Sequence, residues 1–138
     1  MSELMLTLAP EERFFVNGAV FENGDAPGSF KVDSPNVRIL RTRDALKPTD
    51  ATTPVKQVYY TIQLLITGDA NEADTLPALE AACQDLNAAF APAQPDLIPI
   101  LQELIRRHSY FSALCYLKQI VQLEAQLLGE EMPEALAA

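Results

Sequence analysis

Apolar and polar residues alternate with a period of two along the first third of the chain and with a period near 3.6 along the rest. LMLTL alternates around Leu4, Leu6 and Leu8 until Pro10 stops it. RFFV and AVFE flank Asn17-Gly18, a pair whose tolerance of positive φ makes it the strongest short hairpin signal. A second pair, Asn23-Gly24, is expected to close the next turn. SFKV runs to the turn-forming cluster Asp33-Ser34-Pro35-Asn36, and VRILRTR is the last strand candidate. About five short antiparallel strands are therefore expected.

Beyond Lys47-Pro48 the pattern becomes helical. Thr53-Pro54 reads as an N-cap followed by proline at the first helical position, where a missing N–H costs nothing. Val55, Val58, Tyr59, Ile62, Leu65 and Ile66 follow at helix spacing up to Gly68. A second helix carries Leu79, Cys83, Leu86 and Phe90. A third begins near Asp96, and a fourth, which Ser109 can cap, runs to Gly129. The tail beyond is expected to fray. Strands first and helices after predict an α+β fold: a small antiparallel β-sheet or half-barrel over residues 1–48, packed as one unit on about four helices over residues 49–138.

At 138 residues and 49% hydrophobic, the chain has material for one core without a metal or disulfide staple. Cys83 and Cys115 fit neither a redox pair nor a zinc knuckle and read as buried, reduced thiols. The N-terminus lacks a basic region and a long apolar run, so no signal peptide or membrane span is expected and the chain reads as cytoplasmic.

The net charge of −9 argues against a polyanionic partner, but its distribution is uneven. Residues 1–57 hold seven Lys/Arg and eight Asp/Glu, whereas residues 58–138 hold three and eleven. The cations concentrate at Arg38, Arg41, Arg43, Lys47 and Lys56. On a strand Arg41 and Arg43 share a face, with Arg38 on the other. This strip is the candidate RNA contact, because the field at a surface follows nearby charges.

Chemistry of other kinds is sparse. His108, the one histidine, stands beside Arg106 and Arg107 at a helix end, where the macrodipole favours it, and no second titratable group is evident to make it a catalytic base. The glycines form no phosphate-binding or dinucleotide motif. Neither an enzyme nor a metal or other cofactor is expected. The fourth helix is apolar around much of its girth, through Tyr110, Phe111, Leu114, Leu117, Val121 and Leu128 among others. Either a partner helix or a second copy covers part of it, or it is a central helix enclosed by the other elements.

Four segments carry a resemblance. ERFFVNGAVFENGD (Glu12 to Asp25), LRTRD (Leu40 to Asp44), ATTPVKQVYY (Ala51 to Tyr60) and YFSALCYLKQIVQLEAQLLG (Tyr110 to Gly129) resemble, in order and spacing, the FlbT family of bacterial flagellin regulators. The resemblance implies a post-transcriptional regulator that associates with the 5′ untranslated region of flagellin mRNA, represses its translation or promotes its decay, and works with flagellin and a FlaF-type protein. It implies no catalytic residues. A rival from another class is a flagellin- or FlaF-binding adaptor or chaperone whose association with mRNA is indirect.

Overall fold

The computed structural model describes residues 4–17, 19–33, 38–41 and 44–129. Five strands come first: β1 (Leu4–Leu8), β2 (Arg13–Val16), β3 (Ala19–Glu22), β4 (Gly28–Val32) and β5 (Ile39–Arg41). Four helices follow: α1 (Pro54–Thr67), α2 (Glu72–Phe90), α3 (Leu97–Arg106) and α4 (Tyr110–Leu128). The architecture is α+β, with the strands in two small antiparallel sheets, β1-β4 and β3-β2-β5.

Alternation along β1 puts Leu6 and Leu8 inward, at 4% and 5% exposure, and leaves Met5 out. The β2–β3 hairpin pairs Val16 with Ala19, and Asn17 takes a φ of 49°, as the first Asn-Gly pair requires. The second pair does otherwise. Asn23 and Gly24 stay out of the left-handed region. They extend the ladder instead: Asn23 donates its N–H to Glu12 O at 2.8 Å, and Gly24 O accepts from Glu11 N–H at 2.8 Å. The Asn23 side chain bridges Ala9 O and Ala26 O. The tight turn falls on the opposite strand, where Glu12 N–H reaches Ala9 O across Pro10 and Glu11, with Glu11 at φ 61°. Of the turn cluster before β5, residues 34–36 lie outside the described residues, as does the tail from 130 onward.

Phe14 stacks on Phe21 within its own sheet at 5.5 Å and on Phe30 of the other sheet at 5.4 Å, so three rings join the two sheets. β5 is buried on both faces. Ile39 meets Leu6 and Phe111 in a small core, while Leu40 belongs to the large core of the helices.

The helices form a closed ring, α1 packing on α4 and α2, and α3 on α2 and α4. Thr53 caps α1 as expected, its hydroxyl accepting from Lys56 N–H, and Gly68 ends the helix at φ 86°. α2 starts earlier than its apolar pattern suggests, because Asn71 caps it through Asp74 N–H at 2.8 Å. The core of the ring includes Tyr59, Ile62, Leu65, Ile98, Leu101, Leu114, Leu117 and Ile120, all below 2% exposure. Burial of each such side chain contributes roughly 1.5–3 kcal/mol.

Buried polar groups fasten the segment between β5 and α1. The Gln63 amide accepts from Leu46 N–H at 2.7 Å and donates to Leu46 O at 3.0 Å, standing in for a missing strand. Tyr59 hydroxyl donates to Asp44 O at 2.7 Å. Glu124 of α4 accepts from the Thr53 hydroxyl and from Val55 N–H, so a carboxylate sits at the positive end of α1.

Candidate functional site

The expected basic strip is taken apart by the fold. Arg41 shares its strand face with Ile39, which is directed at β1. Its Nε donates to Glu12 Oε2 at 2.6 Å, and its Nη2 donates to Glu12 Oε1 at 2.7 Å and to Thr7 O at 2.5 Å. Arg41 is 5% exposed and serves the seam between the two sheets, where no phosphate backbone can reach it. The hydrogen bonds to Glu12 raise its pKa further above the ordinary arginine value, against the opposing effect of burial. Lys56 is also buried, at 6% exposure, which removes a second member of the strip. Arg43 lies outside the described residues. Arg38 and Lys47 remain at the surface, and Arg38 is within 3.4 Å of Glu72.

The expected protein-binding face of α4 turns inward as well. Tyr110, Phe111, Leu114, Leu117 and Val121 are all buried, and only Leu128 of the set is exposed. The helix is apolar on so many sides because it serves two cores: Phe111 meets Ile39 and Leu6, while Leu114, Leu117 and Val121 face the helical ring. Of the two cysteines, Cys83 is buried as expected, whereas Cys115 lies on the exposed side of α4.

A polar cluster stands where the chain enters β5, α2 and α4. One carboxylate oxygen, Glu72 Oε1, accepts from Tyr110 hydroxyl at 2.9 Å and lies 3.2 Å from His108 Nδ1 and 3.4 Å from Arg38 Nη2. His108 Nδ1 also contacts Tyr110 Oη at 2.9 Å. A φ of 59° at His108, between α3 and α4, brings its ring to this place. Burial works to raise the Glu72 pKa, but the Tyr110 and His108 hydrogen bonds, with the charges of His108 and Arg38, outweigh it and hold the carboxyl below the usual range. Tyr110 is pushed above its usual value by burial and by its bond to Glu72.

Sequence reasoning found no second titratable group near His108; Glu72 is that group, 36 residues away. Its one available signal was Asn71, whose capping places Glu72 in the first turn of α2. The cluster clasps three chain segments together. Among the described residues, no group of three His, Cys, Asp or Glu could hold a metal ion, and no helix is long and apolar enough to cross a membrane.

The exposed large apolar residues divide into separate places: Met5, Val20 and Phe21 on the strands, Ile100 on α3, and Leu127 and Leu128 at the end of α4. β3 is exposed along its whole length and forms one edge of its sheet.

Comparison with known proteins adds the lineage. The family model described as "Flagellar protein FlbT" matches residues 4–128. A probable flagellum biosynthesis repressor protein FlbT of Caulobacter sp. (strain K31) is 27% identical over 128 residues, covering 91% of this chain and 96% of its own. The similarly named protein of Rhodopseudomonas palustris (strain TIE-1) is 29% identical over 133 residues, covering 91% and 98%. A Bradyrhizobium diazoefficiens counterpart is 44% identical over 62 residues, covering 45% and 42%. No solved structure matches. With its family model spanning both sheets and all four helices, the chain belongs to the FlbT family of flagellar proteins.

Proposed function

We propose that this chain represses flagellum biosynthesis after transcription, at the 5′ untranslated region of flagellin mRNA, and that a partner protein of the flagellin or FlaF type carries it there. Family membership and the repressor names of its relatives support the regulatory part. Support for an indirect contact comes from one observation. Each of the five described arginines, Arg13, Arg38, Arg41, Arg106 and Arg107, lies within 3.4 Å of a glutamate oxygen. Affinity for a nucleic-acid backbone comes from cations that neutralise phosphates and free their counterions, and in a chain of net charge −9 an arginine already paired with a carboxylate must give up or share that partner to do so.

The second reading is direct contact through Arg38 and Lys47, which stay at the surface on the approach to the bundle. Titrating leader RNA with purified protein, with and without flagellin and at two ionic strengths, separates the two. Binding that requires flagellin supports the adaptor. Binding by the protein alone, steeply weakened by salt and lost in an Arg38→Ala/Lys47→Ala double variant, would replace it with the direct reading.

A further inference from the structure

We propose that the cleft between α2 and α3 binds a free α-amino acid with an aliphatic side chain. The cleft offers about 280 Å³ and stays open on one side, which is room enough for a molecule the size of an amino acid. Its floor is apolar: Cys83 is fully buried there, with Leu76 and Ile105 half-buried on either side. Burial pushes the Cys83 thiol up to about 11, as expected of a dry floor.

The two walls carry opposite charge. Glu80 stands on the α2 side and Arg106 on the α3 side, with the amide of Gln102 beside it. Arg106 gives Nη1 to Glu103 at 2.7 Å, which fixes the guanidinium without covering it; its side chain is 69% exposed. His108 closes the corner of the cleft. Its Nδ1 is occupied by Glu72 and Tyr110, so the ring is held in one orientation and Nε2 is the nitrogen left for a ligand.

A small zwitterion satisfies all of these groups together. Its ammonium meets Glu80, its carboxylate meets Arg106 and the His108 corner, and its aliphatic tail covers Leu76, Cys83 and Ile105. A molecule with only one of the two charges gains nothing from the other wall, where Arg106 keeps only its bond to Glu103. This inference goes beyond the regulatory reading and does not depend on it, since neither RNA nor flagellin enters its test.

Calorimetric titration of the full chain with L-leucine, isovalerate and isoamylamine is the experiment. Leucine is expected to bind saturably, and the two single-ended analogues about tenfold more weakly or worse, because each forfeits one charged hydrogen bond. Glu80→Gln and Arg106→Ala change exposed side chains and should keep the fold, checked by circular dichroism, while weakening leucine by a similar factor. Leu76→Trp fills the cleft and should abolish binding. The proposal is overturned if leucine fails to bind at any soluble concentration, if either analogue matches it, or if Glu80→Gln and Arg106→Ala bind leucine as the parent does.

Discussion

Arg41 and Glu12, 29 residues apart, meet in a two-pronged ion pair: Nε to Oε2 at 2.6 Å and Nη2 to Oε1 at 2.7 Å. Both side chains are nearly enclosed, at 6% and 10% exposure. Glu12 Oε1 also accepts from Ala9 N–H at 2.9 Å, and Arg41 reaches Thr7 O, so the pair spans β1, the following turn and β5.

Breaking this pair from one side leaves a buried charge uncompensated, at a cost of about 3–5 kcal/mol. Arg41→Ala is therefore expected to lower the urea midpoint sharply. Arg38→Ala, which removes a guanidinium 42% exposed, should cost less than about 1 kcal/mol. Equal midpoints for the two variants would show that the Arg41 pair does not hold the sheets. Loss of regulation in an Arg41 variant should accordingly be compared with its folded fraction before it is ascribed to lost binding.

Glu72 makes the acid limit of stability depend on the clasp. Its folded pKa lies below its unfolded value, so its contribution is complete above the ordinary carboxylate range and disappears as the pH falls through the folded pKa. Glu72→Gln should be least stable, relative to the parent, at neutral pH, and the two curves should draw together as the pH falls below the ordinary glutamate value of about 4.3 and toward the lower folded pKa. A difference that stays constant from neutral pH to pH 3 would exclude this linkage. Tyr110 has the opposite sign: its raised folded pKa gives a contribution present below its unfolded value and lost as the pH climbs through the folded one.

Glu11 occupies a left-handed position that an L-residue adopts at a cost of about 1–2 kcal/mol, offset partly by the entropy a glycine would lose. Glu11→Gly should stabilise the protein by up to about 1 kcal/mol, read as a rise in melting temperature. Destabilisation would mean that the Glu11 side chain does more than its backbone position suggests.

The two thiols should separate cleanly under a thiol reagent. Cys115 is exposed and should react in the native protein, while Cys83, buried and with its pKa pushed up to about 11, should react only after denaturant is added. Two equally fast native thiols would place Cys83 in a more open environment than the cleft floor.

Local features were legible in the sequence wherever one residue's chemistry decides the outcome. Asn17 at positive φ, Thr53-Pro54 starting α1, and Gly68 and Gly129 ending helices each follow from backbone preference alone. Features needing a distant partner were not. Arg41 looked like a surface cation because its carboxylate, Glu12, is supplied by the register of β2 against β5. The girth of α4 told how many of its sides are apolar without telling what covers them, and here the covers are Ile39 and Leu6 on one side and the helical ring on the other. Cys115 shows the same limit in reverse: an apolar context in sequence put it inside, and the rotation of α4 put it out.

A strand three residues long is common property of both hydrophobic interiors, Ile39 plugged into one and Leu40 into the other. Cutting the chain after Lys47 would strip the helical fragment of Leu40 and Leu46 and leave Phe111 without Ile39 and Leu6, while the strand fragment would present Leu40 to water. Neither half retains a closed interior once severed. The molecule should consequently melt in a single cooperative step, with loss of the strands and of the helices tracing one transition.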